Sequence, residues 1–121
     1  PIYITENGMA DSKGYTLKRS RFIISHLQMM LKALSEGANI KGYYVWTLTD
    51  NFEWREGFKK EANFGLYNVY VDNKDVSLPE HSLNRIPTPT VQSYEWIIKE
   101  NGISSEILKK YGSFLDIATG K

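Results

Sequence analysis

Apolar residues are spaced along this chain in two rhythms, and the alternation between them predicts strands and helices in turn. Ile2, Tyr3 and Ile4 form a short unbroken run of β-forming residues. That pattern predicts a strand buried on both faces, as in a parallel sheet. Glu6 follows at its end, and Asn7-Gly8 is a turn signal. A polar loop runs from Met9 to Thr16. Phe22, Leu27, Met30, Leu31 and Leu34 then fall on or near one helical face, the last four at spacings of three and four, which predicts a helix over 18–35 with Gly37 as its stop. Ile40 to Val45 repeats the strand pattern. Strand, helix and strand within about forty residues make a βαβ unit, whose strands are parallel and whose crossover is right-handed.

Beyond Val45 the rhythm weakens. Arg55 to Asn63 is a charged loop, 64–71 reads as an extended segment or short strand, and 72–75 is a turn. The stretch 78–89 contains Pro79, Pro87 and Pro89 and reads as an irregular crossover. Thr90 is placed as the cap of a helix reaching about Glu100, with Val91, Tyr94, Ile97 and Ile98 as its apolar stripe. Asn101-Gly102 ends it. A short helix over 104–110 follows, and the ordered unit is taken as 1–112 with 113–121 as a loose tail.

Composition narrows the class. The chain has 121 residues, 41% of them hydrophobic and 13% aromatic, with net charge +1. That is the make-up of one globular domain rather than a disordered chain. Scattered cations and a near-neutral balance argue against nucleic acid as a partner. The absence of cysteine excludes disulfides and Cys-ligated zinc. No apolar run approaches the ~18 residues that a membrane span needs. The chain starts inside a strand without Met or a signal-peptide pattern. Because a parallel strand needs neighbours, the expectation is the C-terminal piece of a longer, cytoplasmic chain.

Candidate chemistry lies at the strand ends. In parallel α/β folds the carboxyl edge of the sheet is where reactive groups gather. Glu6 sits there. Trp46-Thr47-Leu48-Thr49-Asp50-Asn51-Phe52-Glu53-Trp54 follows the second strand. Taken singly, a Glu beside a turn is a solvated loop residue, and a tryptophan is a core residue. Two strand ends that each carry Glu, with indoles beside the second, point to one site fed by two adjacent loops.

These two motifs resemble glycoside hydrolase family 1, the retaining β-glucosidases and β-galactosidases. Ile2-Tyr3-Ile4-Thr5-Glu6-Asn7-Gly8 is similar to the family's nucleophile segment on barrel strand seven. The Trp46–Trp54 stretch, with Gly57-Phe58 and Phe64-Gly65-Leu66, is similar to its sugar-binding loop after strand eight. The resemblance runs from Pro1 to about Gly102, including Arg85-Ile86-Pro87-Thr88-Pro89-Thr90 before the last barrel helix. It implies the C-terminal part of a (β/α)8 TIM barrel, strands seven and eight with their helices, incomplete on its own because such barrels take about 250 residues. The missing N-terminal segment would hold strands one to six and becomes an implied partner.

The resemblance also assigns roles. Glu6 is the nucleophile. Trp46 is the platform under the sugar ring, Glu53 accepts from glycone hydroxyls, and Trp54 donates its indole N–H to another. Phe64 lines the same subsite, although Asn63 stands where the family has Arg. No cofactor or metal is implied, and the substrate is a small β-glycoside. A carboxylate at 53 repels phosphate, so neutral rather than 6-phosphorylated sugars are expected. The family's acid/base Glu lies in an Asn-Glu-Pro segment, and that tripeptide does not occur here. The family often carries a cis peptide after the Trp46 equivalent, so one is expected at Trp46–Thr47. Asp50 and Asn51 are read as loop-shaping residues. Two other readings stay open: a non-catalytic carbohydrate-binding remnant of the same barrel, and a truncated product without a stable fold.

Overall fold

The computed structural model describes residues 1–11, 17–69 and 85–113. Strand β1 (Ile2–Asn7) is followed by helix α1 (Lys18–Ser35) and strand β2 (Ile40–Val45). β1 and β2 pair in parallel, with Ile2 opposite Ile40, Ile4 opposite Tyr43 and Asn7 opposite Val45. The two strands and the intervening helix therefore stand where the hydrophobic pattern predicts them. Gly37 at φ 98° follows the end of α1, a conformation that glycine adopts at little cost.

The burial predicted for β1 is not observed. Ile2 and Tyr3 are 52% and 55% exposed. A strand is buried by neighbours on its edges and layers on its faces, and among the described residues β2 is its only pairing partner. The apolar run thus leaves surface exposed among the described residues.

The core lies among the helices. Ile23, Ile24 and Leu27 of α1 meet Ile97 of α2 (Pro89–Glu100), and Ile107 and Tyr111 of α3 (Ser105–Tyr111). Tyr43 and Val45 of β2 pack against this cluster. The stripe expected on α1 is accordingly rotated. Ile23 and Ile24 are fully buried, whereas Leu31 and Leu34 are exposed. Two apolar rows share this helix, and the row that α2 and α3 cover becomes the core. Close approach of α1 and α2 uses small hydroxyl residues. Ser93 donates to Ser20 Oγ at 3.0 Å, and Ser20 donates to Thr90 Oγ1 at 3.4 Å.

Thr90 is therefore not the cap of α2. The helix begins one residue earlier at Pro89, with Thr88 as N-cap. Proline suits a first helical position because its fixed φ matches the helix and its missing N–H is not needed there. Thr88 directs its hydroxyl to the Leu66 carbonyl at 2.8 Å. Asn101 ends α2 in the left-handed region at φ 48°, and Gly102 N–H returns to the Ile97 carbonyl at 3.2 Å, closing the last turn as the Asn-Gly pair predicts.

The extended segment after Phe64 is strand β3 (Tyr67–Val69), and it pairs antiparallel with β4 (Arg85–Pro87). The irregular crossover predicted over 78–89 thus contains a short strand at its end. Prolines tolerate such an edge position. The turn placed at 72–75 and the tail after 113 lie outside the described residues.

Candidate active site

Parallel pairing brings the carboxyl ends of β1 and β2 to one edge. Between Ile4 and Asn7, β1 advances three residues while β2 advances two, from Tyr43 to Val45. The extra residue makes a bulge around Thr5 and Glu6, a device that re-aims side chains at sheet rims and beside sites. Glu6 is exposed there.

Asn7 locks this end in place. Its carbonyl accepts from the Trp46 backbone N–H at 2.8 Å. Its side-chain Oδ1 accepts from the Tyr43 hydroxyl at 2.7 Å. Burial pushes the pKa of the Tyr43 hydroxyl well above its ordinary value, and nearby Tyr94 adds to the rise. Gly8 is required by proximity rather than by turn geometry. A Cβ there would lie 1.8 Å from the Trp46 carbonyl oxygen.

The loop after β2 is closely tied. The peptide bond between Trp46 and Thr47 is cis, as the resemblance predicts. The Trp46 indole N–H donates to Glu53 Oε1 at 3.0 Å. Glu53 and Gly57 exchange backbone hydrogen bonds at 3.0 Å each way, which folds 53–57 into a small loop. Phe52 and Phe58 brace it edge to face, with ring centroids 5.5 Å apart. Asp50 shapes the loop, as predicted. Its Oδ1 accepts from Gly65 N–H at 2.7 Å and its Oδ2 from Val69 N–H at 3.1 Å.

The five candidate residues are not equally engaged. Trp46 and Glu53 are bonded to each other, and Trp46 is joined to the Glu6 strand through Asn7. Phe64 is half-buried, and its carbonyl takes the Thr47 N–H at 3.4 Å. Trp54, at φ 34°, is 89% exposed, so its indole lies open to solvent. Lys59 pairs with Glu56 at the surface at 2.9 Å, the solvated role expected of a loop charge.

One residue of the site is absent from the sequence-based expectation. Arg19, in the first turn of α1, is 1% exposed. Its Nε–H donates to the Met9 carbonyl at 2.9 Å, and its two terminal nitrogens donate to the carbonyls of Asn63 and Gly65. Burial lowers its pKa, and the carboxylates of Asp11 and Asp50 act against that shift. A signal existed. Arg19, Ile23 and Leu27 are spaced four apart, so this cation sits on the buried row of its helix.

Elsewhere, an apolar cleft of about 410 Å³ lies between the C-terminal halves of α1 and α2, lined by Leu27, Met30, Tyr43, Tyr94, Ile97 and Ile103 among others. Its lining contains no carboxylate.

The site therefore gathers the exposed Glu6 at the end of β1 and the bonded Trp46–Glu53 pair after β2 on one parallel βαβ unit. Comparison with known proteins agrees. The sequence profile of Glycosyl hydrolase family 1 matches residues 1–103, and the chain belongs to that family. It is 42% identical over 108 residues to a β-galactosidase of Pyrococcus woesei, covering 88% of this chain and 19% of that protein. Its fold matches the β-glycosidase from Pyrococcus horikoshii with a TM-score of 0.73 and 38% identity, covering 93% of this chain and 23% of the other. It also matches a β-glucosidase from Thermotoga maritima in complex with noeuromycin, with a TM-score of 0.65 and 34% identity, over 84% of this chain and 22% of that one. The chain spans about a fifth of the length of these relatives.

Proposed function

We propose that β1 and β2 are strands seven and eight of a (β/α)8 barrel, with 1–112 as its C-terminal portion, and that the complete barrel is a retaining β-glycosidase acting on neutral β-D-glucosides or galactosides. Glu6 is the nucleophile. Its carboxylate oxygen bonds to the anomeric carbon as the bond to the leaving oxygen breaks. A second carboxylic acid, supplied from outside this chain, protonates that oxygen. In the second step the same group takes a proton from water, the water oxygen bonds to the anomeric carbon, and Glu6 leaves as carboxylate. Retention requires the two carboxyl groups roughly 5–5.5 Å apart. Trp46, Glu53, Trp54 and Phe64 hold the glycone. A carboxylate suits this task because charge-assisted hydrogen bonds are the strong ones, and an indole face complements the apolar C–H face of a sugar while excluding water.

One observation carries the reading. The Glu6 strand end and the Trp46–Glu53 pair are joined through Asn7 at a single sheet edge. The relatives' names, β-galactosidase and β-glucosidase, support the substrate class. The test is trapping with a 2-deoxy-2-fluoro aryl glycoside on the complete barrel, followed by peptide mapping. The label is expected on Glu6, and a label on any other residue overturns the assignment.

A further inference from the structure

The proposed site draws on two loops that leave different strands, and each must keep its place relative to the other. β1 carries Glu6 near its end, and the loop that follows it carries Met9. The stretch 63–65 carries Phe64. Arg19 grips both. Its Nε–H bonds the Met9 carbonyl at 2.9 Å, while its terminal nitrogens bond the Asn63 and Gly65 carbonyls. Those two carbonyls flank Phe64, whose own carbonyl takes the Thr47 N–H at 3.4 Å. Gly65 is held on its other side as well, because its N–H bonds Asp50 Oδ1 at 2.7 Å. A side chain at 65 would meet the Asp50 backbone nitrogen at 2.4 Å, so this peptide is gripped without slack. A second tie runs parallel to the first, since the Asp11 N–H bonds the Asn63 carbonyl at 3.0 Å.

We infer that Arg19 is a positioning residue that couples the nucleophile loop to the glycone-binding loop, and that it acts on substrate binding through Phe64. This inference rests on the glycosidase reading for its kinetic consequence, but the coupling itself is a matter of geometry. Only arginine fits the task. Its planar fork presents five N–H donors in fixed directions, enough for three carbonyls at once. Lysine has a point charge on a flexible stem and cannot span both loops. The grip is to backbone carbonyls, so it does not depend on the side chain at 63.

The test compares Arg19→Lys, Phe64→Ala and the double variant in the complete barrel, with KM and kcat for an aryl β-glucoside read beside amide hydrogen exchange. Arg19→Lys is expected to raise KM about fivefold in the parent and less than about twofold when Phe64 is already Ala, because interacting sites are not additive. Protection is expected to fall together in 9–11 and 63–69. Independent KM effects, or exchange changes confined to one segment, overturn the coupling. A variant with lowered stability but unchanged KM overturns it too, since that marks a structural staple alone. If Arg19→Lys does not fold, the unmodified protein still decides the matter. Deoxynojirimycin, with which a Thermotoga maritima β-glucosidase has been solved, is expected to protect both segments in concert, and protection of one alone overturns the proposal. A parent barrel that hydrolyses no aryl glycoside defeats the glycosidase reading, and the exchange profile of Arg19→Lys then decides the coupling by itself.

Discussion

Glu53 faces two demands. It holds the Trp46 indole N–H at 3.0 Å, and in the proposed reaction it also accepts from sugar hydroxyls. Glu53→Gln keeps an acceptor for the indole but loses the charge that strengthens the sugar bonds. KM is expected to rise about tenfold, a change of about 1.4 kcal/mol, with the fold intact by circular dichroism. Gly8 admits no side chain because of the Trp46 carbonyl. Gly8→Ala is expected to cost about 1–3 kcal/mol in urea unfolding, the range for overpacking, and to disturb Glu6, its neighbour but one. Tyr43 contributes to the response to alkali. Its folded pKa lies above the ordinary value of 10.0, first through burial and then through Tyr94. The folded state therefore holds this proton more tightly than the unfolded chain. Its contribution is complete below about pH 10 and lost as pH climbs toward the folded value. Urea midpoints are expected to decline above that pH, and Tyr43→Phe to decline less steeply.

Helix α1 serves two structures at once. Its first turn sends Arg19 to the candidate site, and its middle sends Ile23, Ile24 and Leu27 to the core. Ile24 is 0% exposed. Ile24→Ala is expected to cost about 2–5 kcal/mol in chemical unfolding, as truncation of a buried branched side chain does. By contrast, the Lys32–Glu36 pair on the same helix spans 3.8 Å with both side chains about two-thirds exposed. Such pairs are worth roughly 0–1 kcal/mol, so Lys32→Ala serves as the control with little change. The sheet shows the same division. β2 turns Tyr43 and Val45 toward the helices, while Tyr44 faces away and is exposed.

At the scale of the whole molecule, Ile2, Tyr3 and Tyr44 leave apolar surface of the β1–β2 sheet exposed. A chain spanning about a fifth of its relatives' length is expected to lack the second carboxyl group that retaining hydrolysis requires. The isolated 121 residues should therefore show no measurable turnover of an aryl β-glucoside. Turnover by this chain alone would defeat the proposal that its barrel is completed from elsewhere.

Local interactions made much of this protein legible before its structure. The period of α1, the runs of β1 and β2, and the Asn101-Gly102 stop all express contacts between residues a few positions apart, and such contacts are written in order along the chain. Glu6, Trp46, Glu53, Trp54 and Phe64 stood out by motif for a related reason: two short segments each carried their residue types together. Tertiary structure decided the rest. Whether β1 is buried depends on neighbours, not on its own sequence. The β4 strand exists because β3 lies beside it, and Thr88 rather than Thr90 precedes α2, where Pro89 takes the first helical position. Gly8 is indispensable only because Trp46 comes back to meet it, and Arg19 joins Met9 to Asn63 and Gly65 across more than forty positions. No local pattern encodes those meetings. They follow from how helix and strands pack, which brings distant backbone groups within hydrogen-bonding reach of a buried guanidinium.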